Sequence, residues 1–135
     1  MSKTEKKKWW NFYSQWRKEK CYCPALKENV IISLLGWYHL TGQNGAKKRP
    51  WNDVSRRMQL LQFAREIILE STTVQNIEKR KDTTYFVLEA MKIVTEKGNK
   101  EWRKVRVILF ENRKGQKTFL LVMDKKSPTK RDKSV

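Results

Sequence analysis

His39 is the single histidine in the chain, and so the one side chain whose unperturbed pKa, roughly 6.5, lets it exchange protons near neutral pH. It closes the apolar segment Leu34–Leu40, just before a loop, Gln43–Pro50, that is rich in glycine, lysine and arginine. Glu89 is a carboxylate in the middle of a β-branched and aromatic run, where acidic residues are uncommon and ask for a reason. Arg106 lies between Val105 and Val107 in a second such run. His39 suits general acid–base work, Glu89 the partner role, and Arg106 a phosphate clamp, because a guanidinium offers a planar fork and stays charged when buried. The plainer alternatives are a packed structural histidine beside Trp37 and a Glu89–Arg106 salt bridge between neighbouring strands.

Further cations extend the set. Arg56, Arg57, Lys104 and Lys117 are candidates for phosphate contact. Arg57 lies nearer the apolar side of its helix and Arg56 further out, so a solvated helix face is the competing reading for both. Lys47, Lys48 and Arg49, like the run Lys6–Lys8, suit a grip on a polyanion backbone better than chemistry. Trp9, Trp10, Tyr13 and Trp16 could stack bases. The stripe Trp9/Tyr13/Trp16 also suits packing on the rest of the domain, a homodimer or a neutralising protein partner.

The formal charge of +17 is far more than solubility requires and points to a polyanionic partner, with nucleic acid the first reading. Lys and Arg exceed Asp and Glu by 5 in residues 1–20, by 8 in residues 21–124 and by 4 in residues 125–135. The middle of the chain is therefore basic in its own right, not only through its ends. No apolar run approaches the roughly 20 residues that span a bilayer, and the basic start leads into Trp9-Trp10-Asn11 and not an apolar signal core. No membrane association is expected. Cys21 and Cys23 are too close for an unstrained disulfide and lack the histidines of a zinc site. They read as reduced thiols of a cytoplasmic protein that needs no metal or cofactor.

The elements that would position these residues change period along the chain. Apolar residues at i, i+4, i+7 predict a helix over 4–20, and the segment 21–27, with Pro24, ends it. Val30–Ser33 reads as a short strand and 34–40 as a short helix. Asn52 or Asp53 caps one long helix, Val54–Ser71. Thr83–Val94, Lys104–Glu111 and Lys117–Asp124 then alternate as strands, separated by turn sequences at 97–100 and 112–115. The class is α+β: N-terminal helices packed on one face of a C-terminal antiparallel meander of three or four strands. The other sheet face carries Arg106 and Glu89. The organisation expected is a basic, Trp-rich helix and linker at 1–24, an α+β domain at 25–125, and a mobile basic tail at 126–135.

Several of these segments form a pattern in order: Gly36-Trp37-Tyr38-His39, Lys48-Arg49-Pro50, Arg56-Arg57 leading to Leu60-Leu61, Tyr85–Ala90, Val105–Leu109 and Phe119–Asp124. Over roughly residues 30–125 the chain resembles phage-associated nuclease-like domains of the barnase–EndoU–colicin–RelE fold. The resemblance implies an open sheet face that binds RNA, and metal-independent endoribonuclease activity by 2′-hydroxyl attack, as in RNA-cleaving toxins. His39, Glu89 and Arg106 would then be catalytic, with Arg57 as a second clamp. Leu121 stands where that pattern places a small hydroxyl residue, which favours the alternative, a non-catalytic nucleic-acid-binding module of the same fold.

Overall fold

The computed structural model describes residues 3–42, 51–96 and 98–126. Four helices, α1 (Lys3–Lys18), α2 (Leu34–Thr41), α3 (Trp51–Met58) and α4 (Leu61–Glu70), precede a four-stranded antiparallel sheet. A two-stranded hairpin, β1 (Tyr22–Cys23) and β2 (Glu28–Asn29), joins α1 to α2. The large sheet runs in order β3 (Asn76–Arg80), β4 (Thr83–Glu96), β5 (Asn99–Glu111) and β6 (Lys117–Lys126). The α+β architecture with helices on one sheet face agrees with the alternation in the sequence. Residues 43–50, with Lys47, Lys48 and Arg49, and residues 127–135 lie outside the described residues.

Period two divides most of the sheet, although Val87 of β4 is buried in the opposite phase. Phe86, Leu88 and Val94 on β4, Val105, Val107 and Leu109 on β5, and Phe119 and Val122 on β6 are buried beneath the helices. From above, α1 contributes Trp9, Tyr13 and Trp16. The Tyr13 and Trp16 rings lie 5.8 Å apart, and 6.4 and 5.1 Å respectively from the ring of Phe119. The Tyr13 hydroxyl donates to the Ser33 carbonyl at 2.5 Å, and the Trp16 indole N–H to Cys21 Sγ at 3.4 Å. Helix α1 is thus part of the same core as the sheet. The stripe Trp9/Tyr13/Trp16 cannot serve as a dimer or partner surface: its exposures are 9%, 0% and 1%.

Two local features differ from the sequence reading. The single helix expected over 54–71 is two helices, α3 and α4, separated at Gln59-Leu60. A continuous helix would place Leu60 about 200° around from Met58, pointing it away from the core. The break, sealed by a Leu60 N–H to Arg57 carbonyl bond of 2.9 Å, lets Met58, Leu60 and Leu61 all be fully buried. The strand expected at 30–33 is reduced to a bridge from Ile31 to Thr118 in β6. Its neighbour Ser33 is taken up as the N-cap of α2, accepting from the Leu35 N–H at 3.2 Å.

Opposite Ile108/Leu109 of β5, strand β6 carries a bulge. Two consecutive residues, Leu120 and Leu121, consequently line the uncovered face before alternation resumes with Val122 inward. The β5–β6 turn is held by Asn112, whose Oδ1 accepts from the Lys114 and Gln116 N–H groups at 3.0 and 2.9 Å.

Candidate nucleic-acid interface

The face of the sheet turned away from the helices is assembled row by row from the strand register. Ile93 opposes Trp102, Met91 opposes Lys104, Glu89 opposes Arg106, Val87 opposes Ile108, and Tyr85 opposes Phe110 across β4 and β5. On the β6 side, Lys104 faces Lys125, Arg106 faces Met123 and Ile108 faces Leu121. Tyr85, Glu89, Arg106 and Leu121, with Glu78 and Arg80 of β3, line a groove of about 560 Å³. Beyond it the β4–β5 hairpin reaches past its neighbours and leaves Met91, Ile93 and Trp102 exposed at 44%, 46% and 58%. Lys100, Lys104 and Lys125 are exposed on the same face or rim.

Glu89 and Arg106 meet as their register requires. Arg106 donates to Glu89 Oε2 from Nη2 at 3.2 Å and from Nε at 3.4 Å. The carboxylate is nearly buried and the guanidinium about one-third exposed, so the arginine keeps an outward edge for an anion while Glu89 is held beneath it. The salt bridge and a position in a groove are both realised.

His39 is not brought to this pair. It sits in the last turn of α2, whose Gly36 rests on Tyr13 and Phe119 in the helix layer, and it is not among the residues that line the Glu89–Arg106 groove. Arg56 and Arg57 are likewise on the helix side. Arg56 pairs with Asp124, and Arg57 Nη1 donates to the Val122 carbonyl at 3.4 Å. They tie α3 to β6 and do not face Arg106. Lys117 also departs from the phosphate-binding role expected of it. It lies 3.1 Å from Glu111, 3.5 Å from Glu28 and over the Phe86 ring, with its side chain 13% exposed. Burial acts to lower its pKa, but the two carboxylates outweigh this and hold the ammonium above its usual range. Of the strand cations proposed from sequence, Lys104 and Arg106 share the open face and Lys117 does not.

Residues not singled out from the sequence complete the picture. Trp102, Met91, Ile93 and Lys125 belong to the platform, and continuing the alternation of β5 back to Lys100 would have placed Trp102 beside Lys104. On the opposite face, Arg103 is 4% exposed and bonded to Glu101 and to Asp124, whose side chain is fully buried. Arg103 is in phase with Val105 and Val107, and Asp124 with Val122. That shared phase is the sequence signal of a charge pair inside the core.

The uncovered face can therefore do two things chemically: stack planar groups on Trp102, Tyr85 and Phe110, and hold anions on Lys104, Lys125 and Arg106. Among the described residues lining the groove, none is a histidine or cysteine to work beside Glu89. Comparison with family models, with curated proteins and with solved structures finds no match for this chain. No helix among the described residues is long and apolar enough to cross a membrane.

Proposed function

We propose that this chain is a nucleic-acid-binding module that takes single-stranded RNA on the open face of its sheet. The observation that carries the reading is the interleaving of Trp102, Lys104 and Arg106 on alternate positions of β5, on a face that no described helix covers, flanked by Lys125. A strand rises about 3.3 Å per residue, so Phe110 to Trp102 spans roughly 26 Å. That length suits several nucleotides laid along the sheet, with bases on the aromatics and phosphates toward the cations. Splayed single strands offer base faces to a sheet, which duplex does not. The net charge of +17 supplies long-range attraction for any such polyanion.

A second reading, metal-independent endoribonuclease activity of the barnase–EndoU–colicin–RelE kind, is favoured by one observation: Glu89 and Arg106 lie together in the groove. Arg106 would clamp the phosphate and Glu89 would take the 2′-hydroxyl proton, without His39. One experiment separates the two. Wild type, Glu89→Gln and Trp102→Ala are incubated with tRNA and rRNA in EDTA, and both binding and fragment ends are read. Intact RNA, bound by wild type, released by salt and bound more weakly by Trp102→Ala, supports the binding module. Discrete fragments ending in 2′,3′-cyclic phosphate, lost in Glu89→Gln, would replace it with the nuclease.

A further inference from the structure

Among the aromatic residues of α1, Trp10 alone is exposed, with 37% of its surface open to solvent. It meets Trp37 of α2 with ring centroids 5.1 Å apart and planes at 64°, forming an angled corner of two indoles. Lys6, Trp10, Leu34, Trp37 and Tyr38 line a shallow, open notch of about 330 Å³ there, on the helix side of the molecule and away from the sheet groove. Trp37 is buried and forms the floor; Trp10 forms the wall. A planar ring laid flat on the exposed face of Trp10 brings its edge to the corner with Trp37, an arrangement aromatic rings favour.

The face of α1 beside the corner is basic. Lys3, Lys6, Lys7 and Trp10 fall on one stripe of α1, at i, i+3, i+4 and i+7. The nearby acidic residue Glu5 accepts a hydrogen bond from the Ser55 hydroxyl at 2.9 Å, and no carboxylate lines the notch among the described residues. An aromatic ligand that carries negative charge suits this corner, because the exposed Lys3 and Lys7 stand beside it on the same stripe. At about 330 Å³ the notch is at the small end of ligand sites, which run from roughly 300 to 1,000 Å³.

We propose that the Trp10/Trp37 notch binds a nucleobase, with the attached phosphate lying toward the Lys3/Lys6/Lys7 stripe. The same chemistry is offered by a free nucleotide and by an unstacked nucleotide within an RNA chain. The site is independent of the sheet face. If both are occupied, one protein holds nucleic acid on two opposite sides and bridges two segments.

The test is an NMR titration of the full chain that follows its six tryptophan indole N–H signals. The signal of Trp10 is identified by its loss in Trp10→Phe, which keeps a ring in place. The probes are adenosine 5′-monophosphate, a 5′-phosphorylated five-adenosine RNA, and inorganic phosphate. The nucleotide or the oligomer is expected to shift the Trp10 and Trp37 signals, while phosphate at the same concentration leaves them in place. Trp10→Ala should weaken that binding about tenfold or more, the loss typical of one stacked base. Response to the oligomer at far lower concentration assigns the notch to a base within a chain; equal response assigns it to the free nucleotide. Both outcomes uphold the site. Trp10 and Trp37 signals that stay fixed with both probes, or move equally with phosphate alone, overturn it. A Trp102→Ala chain run alongside keeps the notch intact, so loss of sheet-face binding and loss of notch binding are read separately.

Discussion

Replacing Gly36 by alanine should destabilise the protein, against the usual rule for helices. Inside a helix, alanine is favoured over glycine by roughly 1 kcal/mol. In α2, however, an added Cβ would lie 2.5 Å from the Tyr13 hydroxyl oxygen and 2.6 and 2.9 Å from two Phe119 ring carbons. Ordinary contacts between such atoms are about 3.5–4.0 Å. Neither neighbour has room to give. The Tyr13 hydroxyl is tied to the Ser33 carbonyl, and Phe119 is enclosed by the rings of Tyr13 and Trp16. Overpacking by one methyl group costs roughly 1–3 kcal/mol, and two separate clashes argue for the upper part of that range. The net expectation for Gly36→Ala is a loss of about 2 kcal/mol. In urea unfolding followed by tryptophan fluorescence, with a slope of about 1–3 kcal/mol per molar, the midpoint should fall by about 1 M. Shortening the obstructing ring in the double variant Gly36→Ala/Phe119→Leu should recover part of that loss, leaving a coupling of roughly 0.5–3 kcal/mol. A midpoint raised by Gly36→Ala, or strict additivity in the double variant, would show that helix propensity and not this contact governs the site.

Asp124→Ala should destabilise the fold by roughly 1–3 kcal/mol, because the buried Arg103 keeps Glu101 but loses the bond to Asp124, and the Arg56 link from α3 to Asp124 of β6 goes with it. Arg80→Ala, at the exposed Arg80–Glu78 pair, should leave the urea midpoint where it is. Cys21 and Cys23 should stay silent to a thiol reagent at pH 8 until the chain is unfolded, since burial pushes both thiols up despite the Trp16 N–H on Cys21. Burial likewise raises the Tyr13 phenol, with the Arg17 charge opposing. All three folded pKa values lie above the unfolded ones, about 8.5 for cysteine and 10 for tyrosine. Their contribution is therefore complete below pH 8 and is lost as pH rises beyond those values; a urea midpoint unchanged between pH 7 and 10.5 would contradict it. For the sheet face, Lys104→Gln/Lys125→Gln should lower the salt slope of RNA binding by about 1.4, at roughly 0.7 per cation on single strands. An unchanged slope in fluorescence anisotropy would place the RNA elsewhere.

The parts of this molecule legible in its sequence are those where one periodicity dominates. The alternation of Val105, Val107 and Leu109 against Arg106 and Ile108 determines which face of β5 is buried, and with it the meeting of Glu89 and Arg106 on the other face. The aromatic i, i+4, i+7 stripe of α1 likewise marks a buried seam. The hidden parts depend on partners distant in the chain. His39 and Glu89 look compatible as an acid–base pair in sequence, which does not say which side of a sheet a helix covers. Lys117 looks like a free strand cation, since Glu28 reaches it only after the β1–β2 hairpin is folded against β6. The α3–α4 break comes from burying Met58, Leu60 and Leu61 together, a demand of the core that helical period alone opposes. Strand β3, Asn76–Arg80, has no apolar alternation to betray it and exists because its backbone pairs with β4.

The contact of α1 with Phe119 also governs when this chain can fold. Tyr13 and Trp16 close on a ring more than a hundred positions away, and Ile31 pairs in parallel with Thr118 of the last strand. Contacts of such sequence separation form late and slowly, because a long loop must close before they return anything. During synthesis, α1 must therefore wait with its indoles unprotected until β6 has been made. A chain stopped short of β6 would have a helix with an apolar stripe and no sheet to receive it, a species suited to chaperone capture or aggregation. Assembly of this molecule is expected to be a single cooperative event that is completed only when α1 and β6 meet.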